Sequence, residues 1–173
     1  YRFSLKAQDG TAIEAVSNSP SKAQVYSVAA AATVAHILGM TASEISVATQ
    51  NVTPTSGRMQ LLDGIKHTTI WDETYNASPE AVKGALDTLY QLPASYRTAL
   101  LGSMNELGSF SAAAHQEVGE YCLPEYLDLV VTLGAEANRH LAPAAKQKGC
   151  TVIETTSPYE AALALRDKLP EGS

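Results

Sequence analysis

The chain has 173 residues, of which 45% are hydrophobic and 17% are charged, as in globular proteins with room for one domain and part of another. Its net charge is −6, and the absence of a basic stripe argues against general nucleic-acid binding, because nothing can neutralise phosphates. The longest apolar stretch, Val25 to Leu38, is broken by polar residues and is too short to span a membrane, so it predicts a buried helix.

Two features bear on the compartment and the extent of the chain. Cys122 and Cys150 have neither metal-ligand spacing nor a partner motif, which predicts two reduced core thiols in a cytoplasmic protein. The chain opens with Tyr-Arg-Phe-Ser-Leu-Lys, an alternating pattern that predicts a strand and not a signal peptide. Because it also lacks an initiator methionine, we expect it to be a piece of a longer protein.

The first third of the chain predicts a β-hairpin followed by helices. Two alternating segments flank Asp9-Gly10, a strong tight-turn signal. The next segment is alanine-rich and ends at Gly39, where a helix C-cap glycine is expected, and Thr41-Ala-Ser-Glu44 resembles a capping box. The predicted elements are strands over 2–8 and 11–17, a helix over 23–38 and a short helix that ends near residue 50.

A linker separates this part from a region with a different pattern. Asn51 to Gly57 is rich in Pro, Thr, Ser and Gly, so we predict one domain over 1–53 and another over 54–173. Short apolar strands then alternate with helices, which implies a mostly parallel, Rossmann-like α/β sheet with helices on both faces. The strands are predicted over 68–71, 98–101, 127–133 and 151–154, and the helices over 79–90, 111–122, 136–148 and 158–168.

Two loops carry candidate nucleotide-side residues. Arg58 follows a glycine in the linker, and a guanidinium between two domains suits a phosphate or ribose oxygen; a surface arginine after a turn is the plainer interpretation. Asp72 and Glu73 follow a predicted strand, where adjacent carboxylates accept ribose hydroxyls or assist a metal-bound nucleotide. Asn76 and Ser78 in the same loop are candidate helix caps.

A third loop, from Gly102 to Gly108, lies between a predicted strand and a predicted helix. Right-handed crossovers bring such strand-to-helix loops to one edge of a parallel sheet, where ligands bind. Ser111 is a candidate cap for the following helix, and His115 lies one turn inside it. A lone helix histidine is more often structural or exposed than catalytic, so both interpretations of His115 stay open.

Taken together, these loops resemble those of the Mur ligases. The matching segments are Thr53 to Met59, Asp72 to Pro79 and Gly102-x-Met104-x-Glu106-Leu-Gly108-x-x-Ser111-x-x-x-His115-x-x-Val118-Gly119. The helix from Val25 to Ala32 also resembles the one that closes the family's central domain, so the resemblance covers nearly the whole chain. The Glu-Leu-Gly-x-x-Ser-x-x-x-His pattern is the specific one. It is most similar to the MurF type, which adds D-alanyl-D-alanine to UDP-N-acetylmuramoyl-tripeptide.

The resemblance implies part of an ATP- and Mg²⁺-dependent ligase of peptidoglycan precursor synthesis, which phosphorylates a carboxylate for attack by an amine. It assigns 1–53 to the end of a central ATP-binding domain and 54–173 to a C-terminal, acceptor-binding domain. It implies UDP-N-acetylmuramoyl-tripeptide and D-Ala-D-Ala as partners, with no nucleic acid and no membrane span. The implied nucleotide-side residues are Arg58, Asp72 and Glu73, and the substrate-side residues are Tyr75, Asn76, Ser78, Ser103, Met104, Glu106, Ser111 and His115.

Two motifs of such ligases are missing from the chain. Nothing matches Gly-x-x-x-x-Gly-Lys-Ser/Thr, so we expect the phosphate loop before Tyr1 and no complete catalytic site or metal site within this piece. The family's Lys-Gly-Ser strand is expected after Ser173. By itself the piece is therefore expected to be inactive.

Three segments inside the chain depart from the family pattern. Ser21 to Gln24 replaces Gly-Arg-His-Asn, Asp72-Glu73 replaces Asp-Asp, and Ser103 replaces an aspartate. These changes leave two alternatives open. One is another Mur or folylpolyglutamate-type ligase, and the other is a catalytically degenerate relative that serves as a binding or scaffolding module.

Overall fold

The computed structural model describes residues 1–19 and 21–172 and divides into two compact units, Tyr1–Leu61 and Leu62–Ser173. Within these described residues, no helix has the length and apolar character that crossing a bilayer requires. The strands are β1 (Arg2–Lys6), β2 (Ala12–Val16), β3 (Gln60–Asp63), β4 (Thr69–Asp72), β5 (Thr98–Gly102), β6 (Leu129–Leu133) and β7 (Val152–Thr155). The α-helices are α1 (Lys22–Ile37), α2 (Ala42–Gln50), α3 (Pro79–Gln91), α4 (Ser111–Tyr121), α5 (Ala142–Gln147) and α6 (Pro158–Lys168).

The first unit is a β-hairpin packed against two helices. β1 and β2 pair antiparallel, and the turn between them places Gly10 at φ +90°, a left-handed conformation that glycine adopts without steric cost. Ile13 of β2, Ala32 of α1 and Ile45 of α2 form the core of this unit. The predicted hairpin and helices are confirmed, and so is the capping box of α2 at Thr41. The prediction that the apolar helix is buried is wrong, because α1 packs by one face only: Val28 and Ala32 are buried, whereas Tyr26, Val34 and Ile37 are exposed.

The hairpin of β3 and β4 is a difference from the predicted arrangement. These two strands form a separate two-stranded sheet, so β3 is an additional strand and β4 is not part of the parallel sheet. The connection between them holds Lys66 and His67 at φ 54° and 55°, and Lys66 Nζ donates to the carbonyl oxygens of Arg166 and Leu169 at 2.7 and 2.8 Å. Asp63-Gly64 at the end of β3 is a turn signal of the kind that predicts the first hairpin, but the connection over 64–68 is longer than a tight turn and contains two left-handed residues that are not glycine.

The second unit is built on a parallel sheet with the order β5-β6-β7. Central β6 reads Leu-Val-Val-Thr-Leu and is buried over its first four residues, as expected for a strand covered on both faces. On one face, Val130 packs with Val118 and other residues of α3, α4 and α5. On the other face, Leu129 packs against Ala161 of α6. The predicted Rossmann-like sheet is confirmed over these three strands.

The helix predicted over 136–148 differs from a plain α-helix at its start. Ala137–Leu141 is a π-helix, and α5 continues directly from it. Gly119 of α4 packs against this region, because a Cβ there would lie 2.7 Å from the Cβ of Ala144 and would collide with the carbonyl oxygen of Leu141. Single π-turns within helices are frequent at functional sites, and this one directly follows residues 134–136, the loop after β6.

Candidate functional site

Three loops leave the carboxyl ends of β5, β6 and β7. Because these strands are parallel, their loops share one edge of the sheet, which is where such folds bind ligands. We call this the carboxyl edge; it comprises residues 103–110, 134–136 and 156–157. Its first loop contains the predicted Gly102-to-Gly108 segment, whereas its second loop is not among the predicted sites.

His115 supports the β5–α4 loop from the buried side, through hydrogen bonds to its backbone. Its side chain is fully buried, Nε2 accepts the backbone N–H of Met104 at 2.9 Å, and Nδ1 donates to the carbonyl oxygen of Ser111 at 2.8 Å. Because a carbonyl oxygen can only accept and a backbone N–H can only donate, this arrangement places a proton on Nδ1 and a lone pair on Nε2. Met104 is also buried. Both are substrate-side residues in the sequence prediction, and their burial makes them supports of the loop and not part of its surface.

Ser103 joins the first loop of the carboxyl edge to the second. Its backbone N–H donates to the carbonyl oxygen of Leu133 at 2.9 Å, and its Oγ accepts the N–H of Ala137 at 3.2 Å. Gly134 lies against this hydroxyl, since a Cβ there would be 2.6 Å from Ser103 Oγ, and its φ is +97°. The position therefore requires glycine both for space and for backbone conformation.

Ser111 is the first residue of α4, which corrects its predicted role as the cap. The N-cap is Phe110, without a side-chain capping bond. Ser111 Oγ instead donates to Glu136 Oε2 at 2.8 Å and lies 3.3 Å from His115 Nδ1. Glu136 is not among the residues predicted from sequence. Its loop follows an apolar strand, as the predicted loops do, so the same rule applied to 134–136 would have found it.

A buried polar network holds the ends of β6 and β7 together. Thr132 Oγ1 donates to Asn138 Oδ1 at 2.7 Å, Asn138 Nδ2 donates to the carbonyl oxygen of Thr155 at 2.9 Å, and Thr155 Oγ1 donates to the carbonyl oxygen of Thr132 at 2.7 Å. Thr132 and Thr155 are buried. A satisfied buried network of this kind rigidifies its surroundings. The strand ends from which the second and third loops leave are therefore held rigidly.

The second predicted loop runs from the end of β4 to the start of α3. Ser78 is the N-cap of α3, since its Oγ accepts the backbone N–H of Ala81 at 3.3 Å. Asp72 and Asn76 accept backbone N–H groups within the loop, at 3.1 and 2.9 Å. Ala77 packs against the same core cluster that contains Met104, which links this loop to the support of the first one.

The remaining predicted residues differ in exposure. Tyr75 is 71% exposed, Glu106 is exposed, and Glu73 is half-buried. Glu106 has a φ of 62°, which is uncommon for a residue with a side chain and is a form of local strain that collects at ligand-binding loops.

Arg58 belongs to a different compact unit from the other predicted site residues. It belongs to the first unit, whereas Asp72 and Glu73 belong to the second. Its backbone N–H donates to the carbonyl oxygen of Thr55 at 2.9 Å, and its neighbours Gly57 and Met59 have φ values of 70° and 53°. The result is a tight turn that carries an exposed arginine side chain.

The carboxylates of the chain are dispersed with respect to metal binding. Among residues 1–19 and 21–172, no three His, Cys, Asp or Glu side chains are grouped so as to hold a metal ion.

The family is decided by comparison with known proteins. The profile described as "Mur ligase, glutamate ligase domain" matches residues 57–173, a range that contains the whole carboxyl edge. The chain belongs to the Mur ligase family. The predicted resemblance to Mur ligases is confirmed, with relatives of the MurF type.

Two curated Mur ligases illustrate the relationship. The UDP-N-acetylmuramoyl-tripeptide–D-alanyl-D-alanine ligase of Escherichia coli is 26% identical over 136 residues, which are 79% of this chain and 30% of the relative. The enzyme of the same name from Haemophilus influenzae is 32% identical over 113 residues, which are 65% of this chain and 24% of the relative. The chain thus spans less than a third of these relatives.

Solved Mur ligase structures agree with the fold. MurF ligase from Thermotoga maritima, crystallised in complex with ADP, superposes with a TM-score of 0.76 at 25% identity and covers 99% of this chain and 38% of its own. MurF from Acinetobacter baumannii has a TM-score of 0.76 at 22% identity, with 99% of this chain and 37% of its own covered. At that identity the second structure supports the fold alone.

Proposed function

We propose that this chain is the C-terminal part of an ATP-dependent ligase that adds D-Ala-D-Ala to UDP-N-acetylmuramoyl-tripeptide. The observation that carries the proposal is the family profile over 57–173 together with curated relatives that share this one enzyme name. In this proposal, 54–173 is the acceptor-binding domain and 1–53 is the end of a central ATP-binding domain. The enzyme acts in the cytoplasm on peptidoglycan precursors and needs no nucleic acid.

The substrate side of the proposed site is the carboxyl edge and the neighbouring β4–α3 loop. Tyr75 and Glu106 are exposed and suit direct contact with the dipeptide or the tripeptide. Ser103 contributes through the hydroxyl that also accepts the N–H of Ala137. Asn76 and Ser78 shape the β4–α3 loop through backbone hydrogen bonds.

Two buried residues and the half-buried Ser111 act as positioning groups in this region. Met104, Ser111 and His115 hold the β5–α4 loop through the hydrogen bonds of the His115 ring. A site built this way restricts the reacting amine to a narrow range of geometries, which is a large part of catalysis when two substrates must be joined.

The nucleotide side rests on fewer residues. Arg58 is proposed to contact a phosphate or ribose oxygen, and Asp72 and Glu73 to accept ribose hydroxyls. The similarity to a MurF ligase crystallised with ADP supports ATP as the nucleotide. Bound ATP supplies the phosphoryl group that activates the tripeptide carboxylate, and Mg²⁺ neutralises phosphate charge. The residues of this chain orient the acceptor for attack.

The test is amide formation by the full-length parent protein. We expect it to release phosphate from ATP only when UDP-N-acetylmuramoyl-tripeptide and D-Ala-D-Ala are both present, with one pentapeptide product per phosphate. The 173-residue chain is the control and is expected to be inactive, because it contains no Gly-x-x-x-x-Gly-Lys-Ser/Thr loop. A parent that accepts a different amino acid, or that releases no phosphate with any acceptor, contradicts the proposal.

A further inference from the structure

We propose that Glu136 is a positioning residue of the acceptor side, because it braces the β5–α4 loop through the hydroxyl of Ser111. The catalytic consequence of this brace rests on the proposed ligase function. The support of the loop by the Ser111–Glu136 hydrogen bond is a structural feature that does not depend on that function.

The brace consists of two consecutive residues that hold two serine hydroxyls. Ser111 Oγ donates to Glu136 Oε2 at 2.8 Å, and the N–H of Ala137 donates to Ser103 Oγ at 3.2 Å. Ser103 precedes the exposed part of the β5–α4 loop and Ser111 follows it. Glu136 at the end of the second loop and Ala137 at the start of the π-helix therefore hold the β5–α4 loop at both of its ends.

The hydrogen bond to Glu136 is the stronger of these two contacts. It joins a hydroxyl to an ionised carboxylate, and such charge-assisted bonds are about twice as strong as neutral ones. Neither partner is fully exposed, so water competes less for the bond than it does at an open surface. His140 Nε2 lies 3.9 Å from the same oxygen, beyond hydrogen-bond distance, whereas Ser111 Oγ lies well within it.

Ser111 connects the hydrogen bond of Glu136 to the buried residues that support the β5–α4 loop. Its hydroxyl is held by Glu136 and its carbonyl oxygen by His115 Nδ1 at 2.8 Å, while His115 Nε2 holds the N–H of Met104 at 2.9 Å. A chain of hydrogen bonds thus runs from Glu136 to Met104, and loosening of Ser111 changes the support of the whole loop.

A half-exposed carboxylate at this edge has a second conceivable role, direct attraction of the ammonium group of the dipeptide. The two roles separate in the variant Glu136→Gln. Its amide oxygen still accepts the Ser111 hydroxyl but carries no charge, so it preserves a brace and abolishes an ammonium contact.

The experiment compares E136A, E136Q and S111A in the full-length parent, with two readouts. Hydrogen exchange is measured over 103–108, and kcat and KM are measured separately for D-Ala-D-Ala and ATP. E136A and S111A are expected to raise the loop's exchange about tenfold and to lower kcat/KM for the dipeptide about tenfold, with KM for ATP unchanged. E136Q is expected to stay within about twofold of the parent in both readouts.

The control is E120Q, on the same helix as Ser111, where the exposed carboxylate of Glu120 accepts a hydrogen bond from Gln116 one turn away. It is expected to match the parent protein. A double variant of Ser111 and Glu136 is expected to lose no more than either single variant, because both remove one hydrogen bond.

Two results overturn the proposal. One is an E136Q protein as defective as E136A, which assigns Glu136 to the ammonium. The other is unchanged exchange over 103–108 in E136A. If the unmutated parent joins no D-Ala-D-Ala, the proposed function fails, and hydrogen exchange alone then decides whether the brace exists.

Discussion

At the scale of single residues, His115 shows how the structure chooses between two interpretations of one side chain. A histidine one turn inside a helix is compatible with catalysis and with structure. Its complete burial and its two hydrogen bonds, to the N–H of Met104 and the carbonyl oxygen of Ser111, make it a support. The buried N–H of Met104 depends on this ring for its acceptor.

Two substitutions test that dependence. His115→Leu removes the acceptor and leaves the Met104 N–H buried and unpaired, which costs about 1–3 kcal/mol. In His115→Gln, the side-chain oxygen reaches the former position of Nε2, so we expect a free energy of unfolding about 1 kcal/mol higher than that of the leucine variant. Urea unfolding of both variants measures the difference. Equal stability of the two variants argues against the Met104 bond.

At the scale of secondary-structure elements, the glycines within α3 and α4 differ in whether a side chain would fit at their positions. Gly84 of α3 has open space around the position of a Cβ, whereas Gly119 of α4 meets the carbonyl oxygen of Leu141 and the Cβ of Ala144. The sequence presents both as helix-weakening residues. Only the packing of α4 against the π-helix and α5 shows that one of them is required.

The two glycines therefore form a matched pair of alanine substitutions. Gly84→Ala is expected to stabilise the protein by about 0.5–1 kcal/mol, because alanine has the higher helix propensity and nothing obstructs it. Gly119→Ala is expected to destabilise by about 1–3 kcal/mol or more through overpacking. Urea denaturation of the two variants measures both changes. The same sign for both changes contradicts the close packing at Gly119.

At the scale of the whole molecule, the second unit is organised around its central strand. Val130 and Val131 of β6 are fully buried on opposite faces of the sheet. Cys122 and Cys150 belong to one of the two clusters and are free thiols. Burial raises the pKa of Cys122 to about 12 and also raises that of Cys150, so thiolate is scarce at neutral pH.

Thiol labelling therefore reports on the stability of this unit. At pH 8 we expect both cysteines to react with a thiol reagent only through unfolding, because the reactive form is the thiolate and both side chains are buried. Val130→Ala is expected to accelerate labelling about tenfold or more, since it removes buried methyl groups from the core. Val47→Ala, at a position 59% exposed, is the control with the same chemical change. Rapid labelling of the unmutated protein contradicts this account.

Much of the architecture is determined by signals that act over a few residues. Asp9-Gly10 specifies the first hairpin, the Thr41-to-Glu44 capping box starts α2, and the alternation of apolar strands with helices predicts the parallel sheet. The same alternation, through the loops it brings to one edge, also led to the Gly102-to-Gly108 loop, Ser111 and His115, whereas Ser103 was indicated by the resemblance to the Mur ligases. These patterns depend on local turn chemistry and residue periodicity, so the amino-acid sequence alone predicts the elements they specify.

The tertiary structure decided which partners those residues take. Glu136 lies 25 residues from Ser111 in a loop with no motif of its own, and Lys66 in the β3–β4 connection donates to carbonyl oxygens at the end of α6, 100 or more residues away. Such contacts join groups that are distant in the chain, and they exist only because packed strands and helices bring them together. The sequence by itself determined most of the elements and indicated the family, because those signals are local, whereas packing determined how the carboxyl edge is held in place.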